Sequence, residues 1–255
     1  MKAPAFDYIR VATVAAACSA LAEYGPDARL IAGGQSLLPA MNLRLASPRL
    51  LIDIGRIVGL DRIDVAGGML RIGALARHET VLRDATVAHH VPLLTEALRH
   101  VAHPAIRARG TIGGNLAHAD PASELPACML ALQAVIEAVS PRGTRRIAAN
   151  TFFAGLFQTA LEPDEMLTAV DIPLPAGPFF FQEIARRGGD YAIAGLAASA
   201  TRFAYFSVAD RPVVLAPDAA LTLDPPSDLQ ATGAMRLYLA GVLRDNALAV
   251  LGIRT

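Results

Sequence analysis

Two glycine-pair segments set the strongest limit on what this chain can fold into. They are Ala32–Leu37 (AGGQSL) and Gly110–Asn115 (GTIGGN), and each adjoins an apolar, strand-like stretch. Glycine leaves backbone N–H groups uncovered by a side chain. Clustered N–H groups form a concave positive surface that holds phosphate and other anions. Two such segments in one chain predict one elongated ligand that is held at two places, and a dinucleotide is the natural candidate.

Composition narrows the function classes. The chain has 255 residues, of which 53% are hydrophobic, enough for two or three subdomains. Its 23 basic and 23 acidic residues cancel, and no basic stripe with interleaved aromatics occurs, so we expect no nucleic-acid partner. We expect no membrane span, because no run of eighteen apolar residues is present. The apolar stretch Val11–Leu21 is typical of a packed amphipathic helix and not of a signal peptide.

The cysteines and histidines give no metal motif. Cys18 and Cys128 lack CxxC spacing, so they form neither a metal nor an iron–sulfur motif. Two lone thiols fit a reducing compartment, and we expect a cytoplasmic protein. All six histidines fall between His78 and His118. Surface or hydrogen-bonded structural roles are favoured for them over metal binding, and a cofactor contact by His78 or His118 stays open.

The pattern of apolar runs and breakers divides the chain into three units. Residues 1–55 form a small αβ unit and residues 56–173 a larger one. Residues 173–178, a proline-rich run, are the best linker, and residues 178–255 form the third unit. The periodicity predicts helices over 13–24, 80–88, 92–101, 122–132 and 232–249, and strands over 29–32, 50–54, 69–73, 134–139 and 166–172. Asp120 is expected to cap the helix that starts at residue 122.

Familiar catalytic motifs are absent from the sequence. It has no G-x-G-x-x-G followed by an acid at Rossmann spacing, no G-K-[ST] of a P-loop and no G-x-S-x-G elbow. Ser36 lacks a base at predictable spacing, so its hydroxyl is expected to bond a ligand. A ligand-holding chain without an evident acid, base or nucleophile fits a redox cofactor, which carries the reaction itself.

Three segments resemble one family. Residues 32–41 resemble the first FAD-binding signature of the flavin-carrying medium subunits of molybdenum hydroxylases, the carbon monoxide dehydrogenase and xanthine dehydrogenase family. Residues 107–124 resemble the second signature nearly residue for residue, and residues 181–192 resemble the start of the C-terminal domain. The resemblance implies an α+β fold. Two N-terminal FAD-binding subdomains of the vanillyl-alcohol-oxidase or PCMH-like type would be followed by a small, abbreviated C-terminal α+β domain.

The resemblance also implies a cofactor site. Both glycine segments would wrap the FAD diphosphate and ribityl chain, two acidic residues would lie near the flavin, and an aromatic residue would gate the oxidant. No residue of this chain would be catalytic or bind a metal. The residues implied to bind FAD are Ile31, Ala32, Gly33, Gly34, Gln35, Ser36, Leu37, Val101, Ala102, Gly110, Thr111, Gly113, Gly114, Asn115, Ala117, Asp120, Glu124, Leu167 and Tyr191.

Plainer interpretations stay open for several of these residues. The Gly33-Gly34 pair also fits a tight turn, Asp120 and Glu124 fit helix capping, and Tyr191 fits a core or interface aromatic. The adjacent arginines 186 and 187 fit a solvated ion pair. The sequence also departs from the family pattern in two places. Glu183 stands where many relatives have a basic residue, and residues 205–228 lack the usual glycine-rich turn and following helix.

The function that the resemblance implies is electron transfer. The chain would be the FAD subunit of a heterotrimer, often doubled into a dimer of heterotrimers, with a large molybdopterin subunit and a small [2Fe–2S] subunit. It would take electrons from a [2Fe–2S] cluster and pass them to NAD⁺, a quinone, oxygen or another acceptor. Two alternatives stay open: a self-contained FAD-dependent oxidase or dehydrogenase, and a flavin-free assembly subunit.

Overall fold

A computed structural model describes residues 2–174 and 177–254 of the chain. Part of the expected linker, residues 175 and 176, lies outside the described residues. The chain builds three main sheets in sequence order, and helices pack between and around them.

The first unit is a small parallel sheet covered by one helix. β3 lies between β1 and β2 and is parallel to both. The Thr13 hydroxyl caps α1 by accepting a hydrogen bond from the Ala16 amide at 3.1 Å, and the helix buries Ala17, Cys18 and Leu21. The elements are β1 (Asp7–Arg10), α1 (Val14–Tyr24), β2 (Ala28–Ile31), α2 (Leu37–Asn42) and β3 (Leu50–Asp53).

The second unit is a five-stranded antiparallel sheet, in the order β4-β5-β10-β6-β7, and both α1 and α7 pack against its central strands. Its central strand β10 is buried along nearly its whole length, as expected for a strand covered on both faces. The elements are β4 (Ile63–Ala66), β5 (Met69–Gly73), α3 (His78–Arg83), α4 (Ala85–His90), α5 (Pro92–His100), α6 (Pro104–Arg107), α7 (Ile112–His118), α8 (Glu124–Ala131), β6 (Val135–Ser140), β7 (Gly143–Ala148), α9 (Ala149–Phe152), β8 (Phe153–Gly155), β9 (Gln158–Thr159) and β10 (Met166–Pro173).

The third unit is a four-stranded antiparallel sheet, in the order β11-β12-β13-β14, packed between α8 and α10. Phe206 belongs to the same core cluster as the five-stranded sheet, and its ring stacks on Phe181 with centroids 5.9 Å apart. The second and third units therefore share one core. The elements are β11 (Phe180–Ile184), β12 (Ala194–Ala198), β13 (Phe203–Phe206), β14 (Val213–Leu215) and α10 (Gly233–Leu251).

The mixed helix-and-sheet fold confirms the predicted α+β class, but three local predictions are wrong. The predicted helix 80–88 is two helices, because Asp84 is extended and its carboxylate accepts hydrogen bonds from the amides of residues 86 and 87. The helix predicted from residue 122 starts at Glu124, with Ser123 and not Asp120 at its N-cap. The second glycine pair, expected in a loop, lies in the first turn of α7. The proposed unit boundaries stay predictions.

Two features of the described residues bear on the class of protein. No helix within residues 2–174 and 177–254 combines the length and the apolar character that crossing a bilayer requires. Both cysteines are buried and unbridged, and the Cys18 thiol donates to the Val139 carbonyl at 3.2 Å. They act as small core residues.

Gly195 provides a test of the packing between β12 and β13. A β-carbon at this position would overlap the buried ring of Phe206. We expect Gly195→Ala to lower the free energy of unfolding by about 1–3 kcal/mol, because the ring has no room to move. Urea denaturation measures the change. Gly188→Ala is the matched control, since nothing lies within 4 Å of its β-carbon position; equal stability of both variants would contradict this packing.

Candidate functional site

The two glycine segments lie against one another. A β-carbon on Gly33 would overlap the carbonyl oxygen of Arg109 and would lie 3.0 Å from the Gly110 α-carbon. Gly33 is therefore the residue that lets the two backbones touch. Gly34 has a φ of +72°, a conformation that glycine adopts without strain.

The first glycine segment presents unpaired amides. Among the described residues, the backbone N–H groups of residues 33–36 have no hydrogen-bond acceptor. The Gln35 side chain donates to the Gly33 carbonyl at 3.1 Å, which holds the turn, and Ser36 is exposed without capping α2. Ile31, Ala32 and Leu37 flank the turn and are half-buried. The geometry is that of an anion-binding nest.

The second glycine segment is tied to the body of the protein instead. The Ile112 amide donates to Ala76 O at 3.0 Å and the Gly113 amide to Ala74 O at 2.9 Å. The Gly114 amide donates to the Thr111 hydroxyl at 3.1 Å, the N-cap bond of α7. The expectation that both segments offer bare amides is therefore wrong for these glycines. Gly113 is required for packing, since its β-carbon would lie 2.6 Å from that of Ala74.

Two arginines give this region positive charge. The Arg77 guanidinium donates to the Arg109 carbonyl, and residue 77 also forms an isolated β-bridge with Thr111. Burial and the nearby Arg109 charge lower the pKa of Arg77. Within residues 2–174 and 177–254, neither arginine pairs with a carboxylate. Nothing in the sequence indicates that Arg77 and Arg109 lie together, because only the folded chain brings residue 77 beside residue 109.

His78 lies directly beneath the second segment. Its side chain is buried, neither ring nitrogen has a hydrogen-bond partner among the described residues, and Nδ1 is 3.0 Å from the β-carbon position of Gly110. Burial lowers the pKa of His78 to about 4, so the ring is neutral. His78 is therefore not a surface residue, and a structural role remains. The ring packs against Gly110 and leaves little room for a β-carbon there.

The far end of α7 carries a second group of the expected residues. Ala119 has left-handed backbone at φ +50°, which turns the chain so that the Asp120 carboxylate accepts from the Ala122 amide at 2.9 Å. The Asn115 amide and the Ser123 hydroxyl bond each other at 2.8 and 3.0 Å, which ties α7 to α8. Ala117 is exposed on the same short helix.

Tyr191 lies at this end on an exposed loop of the third unit. Its side chain is 58% exposed, and desolvation together with the Asp120 charge raises the pKa of its hydroxyl to about 12. The loop packs on the turn after α5, because a β-carbon on Gly189 would lie 2.7 Å from His103 and 3.1 Å from the Ala102 carbonyl. Tyr191 is thus neither a core residue nor remote from Ala102 and Asp120.

Buried acidic groups lie behind this surface. Glu124, the first residue of α8, is 7% exposed, and burial raises its pKa to about 8. The Glu183 side chain is 3% exposed and lies 3.3 Å from His100 Nδ1, an interaction that raises the pKa of the histidine. We expected no flavin contact from Glu183 because it is acidic. The structure shows that Glu183 instead contacts His100.

The apolar candidates differ in their access to a ligand. Val101 and Leu167 are 6% and 5% exposed and belong to the main core cluster. Ala102 is half-buried with a left-handed φ of +45°. The fold thus gathers the expected residues into two groups at opposite ends of α7, one around the touching glycine segments and one around Asp120 and Tyr191.

Comparison with known proteins identifies the family. Residues 4–175 match the family model described as the FAD binding domain in molybdopterin dehydrogenase. The chain belongs to this family. The match covers the two units that hold the glycine segments and α7, and it confirms the resemblance drawn from the sequence.

Curated relatives agree with this assignment. The chain is 45% identical over 197 residues to the nicotine 6-hydroxylase medium subunit of Paenarthrobacter nicotinovorans. This match covers 77% of this chain and 69% of the relative. It is 40% identical over 194 residues to the carbon monoxide dehydrogenase medium chain of Afipia carboxidovorans. This second match covers 75% of this chain and 67% of the relative. The chain is therefore an FAD-binding medium subunit of the molybdenum hydroxylase family, an oxidoreductase class.

Solved structures match over the whole fold. A chain of the reconstituted CO dehydrogenase from Oligotropha carboxidovorans superposes with a TM-score of 0.94 at 33% identity, covering 100% of both chains. A chain of quinoline 2-oxidoreductase from Pseudomonas putida 86 gives 0.91 at 37% identity, covering 98% of both. The third unit, which lies beyond the family-model match that ends at residue 175, therefore shares the family fold.

The buried Glu124 carboxyl predicts a pH-dependent stability. Between its ordinary pKa of 4.5 and about 8, the folded state keeps a proton that the unfolded state releases, so stability falls as pH rises through this window. Glu124→Gln removes this dependence. We expect the stability advantage of the variant over the wild type to grow with pH by at most about 1.4 kcal/mol per unit.

Thermal unfolding across this pH window measures the difference between the two proteins. Glu96→Gln is the control, because Glu96 is exposed and pairs with Arg99 at 2.6 Å. Wild-type and Glu124→Gln curves that run parallel at every pH would show that Glu124 is ionised in the folded protein.

Proposed function

We propose that this chain holds FAD along α7 and relays electrons from a [2Fe–2S] partner to a soluble acceptor. The diphosphate would lie at the touching glycine segments, and the flavin ring would lie at the end marked by Asp120 and Tyr191. The observation that carries this proposal is the contact between the two segments. Among the residues that the structure describes, this contact brings four amides without acceptors beside two arginines without carboxylate partners.

The diphosphate end suits a dianionic group. The amides of residues 33–36 and the Ser36 hydroxyl would donate to phosphate oxygens, and Arg77 and Arg109 would balance the charge. Burying phosphate charge without such donors is costly, whereas charge-assisted hydrogen bonds offset the lost hydration. Thr111, Gly113 and Gly114 would support this end by holding the second segment in place, since their own bonds are made within the chain.

The length of α7 suits the middle of the cofactor. Its seven residues span about 10 Å, a distance on the scale of a ribityl chain with its flanking atoms. Asn115 and Ala117 lie along this helix. Gly114 and Ala117 are exposed, so the outer face of α7 leaves room for a ligand to pass along it.

The flavin end combines apolar surface, acidic groups and one exposed aromatic ring. Ala102, with Val101 behind it, would contact the ring system, and Asp120 would accept hydrogen bonds from hydroxyl groups of the cofactor. Tyr191 would cover the outer face and control access for the acceptor. FAD would supply the electron-transfer chemistry, and the chain would supply position, electrostatics and exclusion of water.

The names of the relatives support a multi-subunit assembly. Several carry the words medium chain or complex subunit in their names, among them a 6-hydroxypseudooxynicotine dehydrogenase complex subunit that is 45% identical over 203 residues. We propose a heterotrimer, doubled into a dimer, with a large molybdopterin subunit and a small [2Fe–2S] subunit in the cytoplasm. Both cysteines of this chain are buried and far apart in sequence, which suits clusters carried by another subunit.

Gly33→Ala tests the placement of the diphosphate. The added methyl group would collide with the Arg109 carbonyl and separate the two segments. We expect FAD affinity to fall at least tenfold, about 1.4 kcal/mol, because the amides and the arginines no longer converge. Titration of the FAD-free chain with FAD, followed by fluorescence quenching, measures the dissociation constant.

The matched control is Gly241→Ala in α10, where a β-carbon would meet only Leu221 at an ordinary 3.7 Å. It should bind FAD as the wild type does. Unchanged FAD affinity in Gly33→Ala, with circular dichroism showing both variants folded, would refute the placement at the glycine segments.

A reduction assay separates the relay from the alternatives. We expect the flavin absorbance of the FAD-loaded chain to bleach on mixing with a reduced [2Fe–2S] partner subunit and to stay constant with small organic substrates alone. Stopped-flow absorbance measures both reactions. Bleaching by a substrate without a partner would favour the self-contained oxidase, and a chain that takes up no FAD would favour the flavin-free subunit.

A further inference from the structure

A buried acidic cluster lies where α5, α8 and β11 meet, directly behind the surface assigned to the flavin. It consists of Glu124, Glu183 and His100. The two glutamates are nearly inaccessible, with 7% exposure for Glu124 and 3% for the Glu183 side chain. The His100 side chain is 37% exposed and connects the cluster to solvent.

The cluster is incompletely paired. Glu183 Oε1 lies 3.3 Å from His100 Nδ1, but its Oε2 is buried and has no hydrogen-bond partner among the described residues. Glu124 likewise receives no side-chain donor in the part of the chain that the structure describes. His100 contacts Glu183 and acts on Glu124 only through its charge, so the two buried carboxyl groups cannot both be ionised without an uncompensated buried charge.

A buried glutamate elsewhere in the chain shows what a structural ion pair looks like here. Glu165 has a side chain that is also 3% exposed, and Arg145 donates to both of its oxygens, at 2.6 and 2.7 Å. The Glu162 amide adds a further bond to Oε2 at 2.7 Å. Among the described residues, Glu183 has no comparable set of donors. A purely structural role would therefore leave its buried Oε2 without a hydrogen-bond partner.

Within residues 2–174 and 177–254, the charged groups that act on the cluster include no second cation. On α5, Arg99 is bound to Glu96 at 2.6 Å, and Glu96 Oε1 lies 3.9 Å from His100. On α8, burial raises the pKa of the Cys128 thiol, which stays protonated. The remaining neighbours, Asp120 and Tyr191, contribute acidic groups. A proton is therefore the available counter-charge.

We propose that His100, Glu124 and Glu183 form a proton-holding cluster that takes up a proton from water when FAD in the adjacent site is reduced. This inference rests on the proposed function. The electrons come from the external reductant, and their negative charge beside Asp120 and Glu124 increases the proton affinity of the cluster. The proton enters from bulk water through the exposed edge of His100 and stays on a carboxyl oxygen. No covalent bond forms between the chain and FAD.

Proton counting on reduction tests the cluster. The FAD-loaded chain is reduced electrochemically in weakly buffered solution between about pH 6 and about 9, and a pH-indicator dye reports the protons taken up per FAD. We expect Glu183→Gln and Glu124→Gln to take up fewer protons than the wild type, by up to one per FAD, in part of this range. Glu23→Gln, which changes an exposed glutamate of α1 outside the cluster, should match the wild type.

The outcomes separate this inference from the proposed function. A wild-type chain that binds no FAD would refute both. A wild type that binds FAD, with identical proton uptake in wild type and both glutamine variants at every pH, would overturn the cluster and leave FAD binding intact. An equal loss of protons in Glu23→Gln would also overturn it. If Glu183→Gln does not fold, Glu124→Gln, an uncharged isostere of the protonated acid, decides the question.

Discussion

The backbone contact between the two glycine segments is the constraint on which the candidate site depends. It brings residue 33, from the parallel sheet, against residues 109 and 110, from the antiparallel unit. Any β-carbon at residue 33 would push the two units apart, so the requirement is steric and local. Within the antiparallel unit, the Arg77 guanidinium donates to the same Arg109 carbonyl that Gly33 approaches, and the buried His78 ring lies against Gly110. The absence of a β-carbon at residue 33 therefore keeps the amides of the first glycine segment close to Arg77, Arg109 and the packed residues around Gly110.

α7 connects this contact to the rest of the molecule. Its first turn is fixed on residues 74 and 76, and its Asn115 side chain is fixed on Ser123 at the start of α8. The third unit is tied to the same region, because the Ser207 amide donates to the Pro121 carbonyl at 2.8 Å. Arg236 of α10 in turn donates to the Ser207 carbonyl at 2.9 Å. Both ends of the site are therefore held by one continuous set of short contacts.

Sequence analysis predicted the elements that depend on local pattern. The helix predicted over 13–24 and the strand predicted over 69–73 follow from the spacing of their apolar residues, and both are present. It missed what depends on tertiary contacts. α7 carries two glycines, which disfavour helix, and forms because Thr111 caps it and residues 74 and 76 accept its first amides. Likewise, no local signal indicates that Glu183 is buried beside His100.

The two ends of α7 differ in charge, and this difference gives the site a direction. At one end the arginine charges lack carboxylate partners, and at the other the carboxyl groups of Asp120, Glu124 and Glu183 outnumber the single histidine. A symmetrical anion would gain nothing from the acidic end. A molecule with phosphates at one end and hydroxyl groups with a proton-accepting ring at the other complements both ends. In the proposed arrangement, the polarity of the site would therefore set the orientation of FAD along α7.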